Sequence, residues 1–205
     1  MITIVAATGN EHKLREIREI LNPRDIKVLG AKDVDGIPEV VEDGTTFVEN
    51  ASKKAVEIAE YCGRATLADD SGLEVVALDN EPGVYSARYA GHGASDEDNL
   101  NLLLKNMAGV EDRRARFRCV IAVATVSSEV RTAEGEINGV LTENPRGNNG
   151  FGYDPIFVPE GYSETFAELS PETKNKLSHR SVALQNAIAE KLFEGVHSGW
   201  NCFEK

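Results

Sequence analysis

Three cysteines in 205 residues, none of them in a CxxC pair, argue against a zinc site or a disulfide framework. Cys62, Cys119 and Cys202 lie far apart and read as reduced thiols of a cytoplasmic protein. No apolar run approaches ~18 residues, so no membrane-spanning helix is expected. The opening Met1-Ile2-Thr3-Ile4-Val5-Ala6-Ala7 is too short for a signal-peptide core with its charged start, and reads as a first strand. Cations are in the minority, with 22 Lys and Arg against 34 Asp and Glu and a net charge of −12. A general nucleic-acid binder carries a basic surface. The expected partner is therefore a small anion gripped by a few local cations, with the remaining acidity serving solubility. Repeats, low-complexity tracts, long linkers and the GxxxxGK[ST] phosphate loop are all missing.

What is present suits one domain over residues 1–205, with enough apolar material (41%) for a sizeable core. Residues 2–7 form a buried-strand pattern. A helical period follows at Leu14, Ile17, Ile20 and Leu21, stopped by Pro23, and residues 26–29 give a second strand. This is the strand–helix–strand unit of an α/β fold. Thr46 caps a helix running to about Tyr61, and Glu49 three residues later completes a capping box. Phe47, Ala51, Ala55, Ile58 and Ala59 make its core stripe. Strands are expected at 65–68 and 73–78, a helix capped near Ser95 over 96–107, and two paired strands at 116–126 and 129–141 turning at Ser127-Ser128. A short strand at 156–158 and a helix over 181–193 follow. The long hairpin makes the sheet mixed rather than simply doubly wound.

The chemistry centres on Leu67-Ala68-Asp69-Asp70-Ser71-Gly72-Leu73, two adjacent carboxylates where an apolar stretch gives way to a turn-capable segment. Carboxylates at a strand end can hold Mg²⁺ against a polyphosphate. If a strand continues through them, successive side chains face opposite sides, so one belongs to a site and the other to structure. Glu42 offers a second metal carboxylate, with Asp43 beside it as the alternative. Thr8-Gly9-Asn10-Glu11-His12-Lys13 links a strand to a helix, where backbone N–H groups and the helix dipole favour an anion. Asn50 and Lys54 share a helix face, which suits a polar wall, while Glu49 and Lys53 read as a surface ion pair. Arg88, after the Pro82-Gly83 turn, is open to a phosphate, a subunit contact or an ion pair. The Asn148-Asn149-Gly150-Phe151-Gly152-Tyr153-Asp154 segment permits close backbone approach, and Phe151 can stack on a base. Lys174, His179 and Arg180 group hydrogen-bond donors before the last helix.

In this order the motifs closely resemble the inosine/xanthosine triphosphate pyrophosphatase family, bacterial type, over about residues 3–190. They are Thr8-Gly9-Asn10 with Lys13; Thr46-Phe47 with Glu49-Asn50-Ala51 and Lys54; Ala68 through Leu73; Pro82-Gly83 with Ser86-Ala87-Arg88; Phe151 through Pro155; and Lys174 with Ser178-His179-Arg180. The resemblance implies an elongated mixed α/β sheet with two lobes flanking a central nucleotide-binding cleft. It also implies a homodimer and a Mg²⁺ requirement, with no nucleic-acid or membrane partner. The implied reaction is hydrolysis of ITP, dITP and XTP to monophosphate and pyrophosphate, which keeps deaminated purines out of nucleic acid. On this resemblance Asp70 is the catalytic base, and Asp70 and Glu42 hold the metal. Thr8, Gly9, Asn10, Glu11, His12, Lys13 and Lys54 grip the phosphates, and Ser71 touches substrate. Phe151, Gly152, Tyr153 and Asp154 flank the base, and Lys174, His179 and Arg180 read its 6-oxo group. A nucleotide sensor would need no carboxylate pair. The related septum-formation-type pyrophosphatases prefer other bases, against which Ser178-His179-Arg180 speaks.

Overall fold

The β-branched run Ile2–Ala6 forms β1 in the computed structural model, which describes residues 2–127 and 129–196. Helix α1 (Glu11–Leu21) buries Leu14, Ile17, Ile20 and Leu21 at helical spacing. Asn10 starts it, its side-chain oxygen accepting from the N–H groups of His12 and Lys13. A 3₁₀ turn at Asn22–Arg24 contains Pro23 and leads into β2 (Ile26–Leu29), which lies parallel to β1. Helix α2 (Phe47–Cys62) is capped by Thr46 and ends at Gly63 in the left-handed conformation.

The expected Glu49–Lys53 pair does not form. The Glu49 carboxylate accepts from the backbone N–H groups of Thr45 and Thr46 at 2.7 and 3.2 Å, closing the capping box. Those donors are already ordered, whereas a lysine must give up side-chain freedom. Lys53 pairs instead with Asp43 at 2.6 Å, with Glu57 4.0 Å away.

The largest departure is β3. Thr66–Val75 is one continuous strand, not two strands around a turn at Asp69–Gly72. It pairs parallel to β1 through Thr66 and Leu67. The buried carboxylates of Asp69 and Asp70 are offset by nearby lysines, so burial does not force the chain to turn out to water. Residues Val76–Leu78, expected as strand, form a 3₁₀ turn.

Helix α3 (Asp96–Asn106) is capped by Ser95 with Asp98. Strands β4 (Arg114–Ala124) and β5 (Val130–Leu141) form the long hairpin; the N–H of Thr125 bonds Glu129 at its tip, and that of Leu141 bonds Arg113 at its base. Ser128 of the expected turn lies outside the described residues. Strand β6 (Phe157–Pro159) is antiparallel to β5. The six strands run in the order β2-β1-β3-β4-β5-β6, a mixed α/β sheet.

Two helices close the described chain. Helix α4 (Pro171–Leu177) was not anticipated, although Ser170 as cap and Pro171 in the first turn announce it. Helix α5 (His179–Ala189) begins two residues before the expected Ser181. Ser178 is its cap, its hydroxyl accepting from Ser181 N and its carbonyl from Val182 N. Lys191, left-handed at φ 62°, stops it short of Phe193.

The described chain divides into two compact units, residues 2–70, 120–135 and 183–196, and residues 71–119 and 136–182. The first buries Ile4, Ile17, Leu21, Ile58, Leu67 and Ile121. The second buries Leu73, Leu103, Met107, Phe117, Phe157 and Phe166, with the Phe117 and Phe157 rings edge to face at 4.7 Å. Each such side chain contributes about 1.5–3 kcal/mol on burial. Cys62 and Cys119 are free thiols, and Cys202 lies outside the described residues. Among the described residues no helix is long and apolar enough to cross a membrane.

Candidate active site

In the first unit the turn after β1 places the start of α1. Thr8 Oγ1 accepts from Asn10 N at 3.1 Å, and Asn10 caps the helix. Glu11 and His12 point to solvent. Glu11 pairs with Lys32 at 2.6 Å, and that hydrogen bond holds its carboxyl below the usual range. His12 Nδ1 lies 3.5 Å from the Arg15 guanidinium. Lys13 is different: its Nζ lies 3.2 Å from the buried Asp69 Oδ2. Asp69 thus holds the Lys13 ammonium in place, a structural partner for a cation of the phosphate set.

Lys54 stands one turn after Asn50 on α2 and forms an ion pair with Glu42. Burial alone would lower the Lys54 pKa; Glu42, Asp69 and Asp70 outweigh it and hold the ammonium above its usual value. Asp70 is 6% exposed. Burial pushes its carboxyl up to about 6, Lys54 pulls against that, and the Glu42 charge adds to the rise. Glu42, not Asp43, is the acid beside these groups; Asp43 is exposed and tied to Lys53. The structure therefore brings together Lys13, Glu42, Lys54, Asp69 and Asp70.

Among the described residues no three His, Cys, Asp or Glu side chains form a metal cage. Mg²⁺ needs no such cage, since it binds through one or two carboxylates plus water and phosphate oxygens. The donors present fit it. Glu42 and Asp70 are hard oxygen ligands close enough to repel one another, and Asp70 Oδ2 is buried with no hydrogen-bond partner.

The second unit assembles a different set. Arg180, 1% exposed, donates from Nη2 to Ser71 Oγ at 3.0 Å. The His179 ring stacks on Phe117 at 4.7 Å, 11° from parallel. Lys174 Nζ lies 4.9 Å from the Phe151 ring centroid, and Arg180 Cζ lies 6.0 Å from it. Lys174 also pairs with Asp154 at 2.7 Å, both side chains nearly buried. Asp154 Oδ2 accepts from Phe151 N at 2.8 Å too, so one carboxylate fixes both the cation and the aromatic loop. Gly150 admits this: at φ +78° its Cβ would stand 2.1 Å from Asp154 Oδ2. Gly152 N donates to Asp96, and the buried Tyr153 hydroxyl donates to Ser86 O at 2.8 Å. Burial pushes the Tyr153 pKa upward.

Tyr153 and Asp154 were expected to flank a base; in the structure the Tyr153 hydroxyl and the Asp154 carboxylate make internal contacts. Asp154 holds Lys174, and Tyr153 anchors the loop. His179 and Arg180 project from the first turn of α5 and Lys174 from α4, where a preceding loop was expected. A test of the buried pair follows. Lys174→Met leaves the Asp154 carboxylate buried and uncompensated, with an expected loss of about 3–5 kcal/mol. Adding Asp154→Asn should restore most of it in denaturant melts. If Lys174→Met melts with the wild type, the pair does not hold the loop.

Residues 4–190 match the model of the Ham1 family, a span that contains every residue above. The chain belongs to that family. As a member of it, the protein is an enzyme of the hydrolase class. It is 50% identical over 187 residues to a dITP/XTP pyrophosphatase of Desulfotalea psychrophila, covering 91% of this chain and 84% of that one. It is 44% identical to the dITP/XTP pyrophosphatase of Bacillus subtilis, covering 88% and 92%. Among solved structures it resembles the HAM1 protein of Coxiella burnetii, with a TM-score of 0.84 and 41% identity over 95% of this chain and all of that one. The sequence analysis named Asn50 only as part of a polar wall and left open which of Asp69 and Asp70 is structural; the structure places Asn50 against Gly44 and gives Asp69 to Lys13.

Proposed function

We propose that the protein hydrolyses ITP, dITP and XTP to the nucleoside monophosphate and pyrophosphate with Mg²⁺, clearing deaminated purines from the cytoplasmic nucleotide pool as a homodimer. Membership of the Ham1 family and the names of its relatives support the substrate class. The observation that carries the chemistry is the buried Asp70 carboxylate, 6% exposed, with Glu42, Lys54 and Lys13 around it.

Lys13, Lys54 and the N-terminal end of α1 hold the triphosphate. Glu42 and Asp70 would hold Mg²⁺, which would supply positive charge beside the phosphates and lower the pKa of a water. Asp70, the buried carboxylate beside Lys54 and Glu42, takes the proton of the attacking water. Lys54 keeps its proton and offsets the two carboxylates. In the second unit Phe151 stacks on the purine, and Lys174, His179 and Arg180 donate to the 6-oxo oxygen. Adenine carries an amino donor there, which would face those donors instead of accepting from them. Mismatches of that kind discriminate strongly.

The test is a panel of triphosphates with separate assays for pyrophosphate and orthophosphate. ITP, dITP and XTP should release pyrophosphate, with ATP and GTP much slower, and chelating Mg²⁺ should stop turnover. Orthophosphate as the product, or equal rates on ATP, would rule the proposal out.

A further inference from the structure

Asn50 is 1% exposed, and the two ends of its amide do different things. Oδ1 accepts the Gly44 N–H at 2.8 Å and so ties the Glu42-bearing loop to α2. The approach is close. A Cβ on Gly44 would stand 2.7 Å from Asn50 Oδ1 and 2.8 Å from Glu49 Cβ. The other end, Nδ2, is buried without a hydrogen-bond partner, and so is Asp70 Oδ2. The Asn50 side chain stands beside Asp70, and its amide favours the ionised carboxylate.

A buried donor left unsatisfied costs about 1–3 kcal/mol, as does a buried acceptor. A leucine of similar shape at position 50 would avoid the donor's share. Stability alone therefore does not account for an asparagine here, and exceptions of this kind call for another explanation. The geometry points to Asn50 as the positioning residue of the reacting carboxylates: its oxygen fixes the loop of Glu42, and its NH₂ group orients Asp70. This rests on the hydrolysis proposed above. Asn50 touches no substrate in this role; it acts through the two acids.

Asn50→Leu, Asp70→Asn and the double variant separate this role from that of a plain helix–loop clip. Single-turnover and steady-state assays on ITP give kcat and KM, and amide hydrogen exchange reads the Gly44 N–H. Misplacing a catalytic group by about 1 Å can cost ~10²-fold, so Asn50→Leu should lower kcat about 10- to 100-fold with KM little changed. Gly44 exchange should quicken and the melting temperature should hold. In the Asp70→Asn background the same substitution should cost little more, because its target is already gone. Gly44→Ala changes no polar side chain but presses on Asn50, and should give the same kcat-selective loss. If Asn50→Leu multiplies the Asp70→Asn loss in full, or lowers the melting temperature while sparing kcat, the positioning role is overturned. If the wild type releases pyrophosphate from another triphosphate but not from ITP, the proposed substrate falls, and the same cycle on that triphosphate still decides Asn50.

Discussion

Asp70→Asn should lower ITP turnover at least ~10²-fold while nucleotide binding persists. The substitution keeps the shape of a side chain that is 6% exposed and removes its charge and its capacity to accept a proton. The cations assigned to the phosphates, Lys13 and Lys54, are untouched. Asp69→Asn should behave differently. Asp69 holds Lys13, so its loss should weaken binding more than the chemical step. Normal turnover in Asp70→Asn beside a crippled Asp69→Asn would reverse the assignment. Stability offers a second readout with a definite sign. The folded-state pKa of Asp70 rises from 3.8 to about 6. A group raised in this way contributes its stability fully below the unfolded value and loses it as pH climbs through the folded one. A shift of that size corresponds to about 3 kcal/mol. With chelator present, Asp70→Asn should therefore melt above the wild type at pH 8, and the gain should vanish near pH 4. A variant that melts lower at pH 8 would show that Asp70 is not strained by its burial.

The local signals that the chain carries in its own sequence were the ones read correctly. Asn10, Thr46 and Ser95 cap the helices they announce, because a cap depends only on residues two or three apart. Strands β1 and β2 follow from β-branched runs. What failed depended on distant partners. Asp69-Asp70-Ser71-Gly72 has turn composition, and half-buried lysines from α1 and α2 make a straight strand tolerable there. Lys174 is paired with a carboxylate twenty residues away, and no spacing rule links Asp154 to it. The start of α5 was a nearer miss: it was expected at Ser181, and Ser178 caps it from two residues earlier than that start implies. Of the candidate site, the lysines and carboxylates that the structure brings together were legible as residue types. Which of Glu42 and Asp43 stands beside Asp70 was not, since the two are adjacent and differ only in which lysine each meets.

Arg180→Ala should narrow the preference for ITP over ATP by about 10- to 100-fold, the effect of losing a buried charged hydrogen bond worth roughly 1.5–3 kcal/mol. Its guanidinium is 1% exposed, bonded to Ser71 and 6.0 Å from the Phe151 ring centre. Removing so large a buried side chain opens a cavity, so a lower melting temperature is expected whether or not Arg180 reads the base. Melting alone therefore decides nothing. The ratio of ITP to ATP turnover in one folded preparation does, because a purely structural arginine would slow both by a common factor. Arg180→Lys sharpens the test. Lysine keeps the charge but lacks the planar fork that can serve Ser71 and a 6-oxo oxygen together. It should recover part of the stability and little of the selectivity. An unchanged ITP:ATP ratio in Arg180→Ala would take base reading away from Arg180 and leave it to Lys174 and His179.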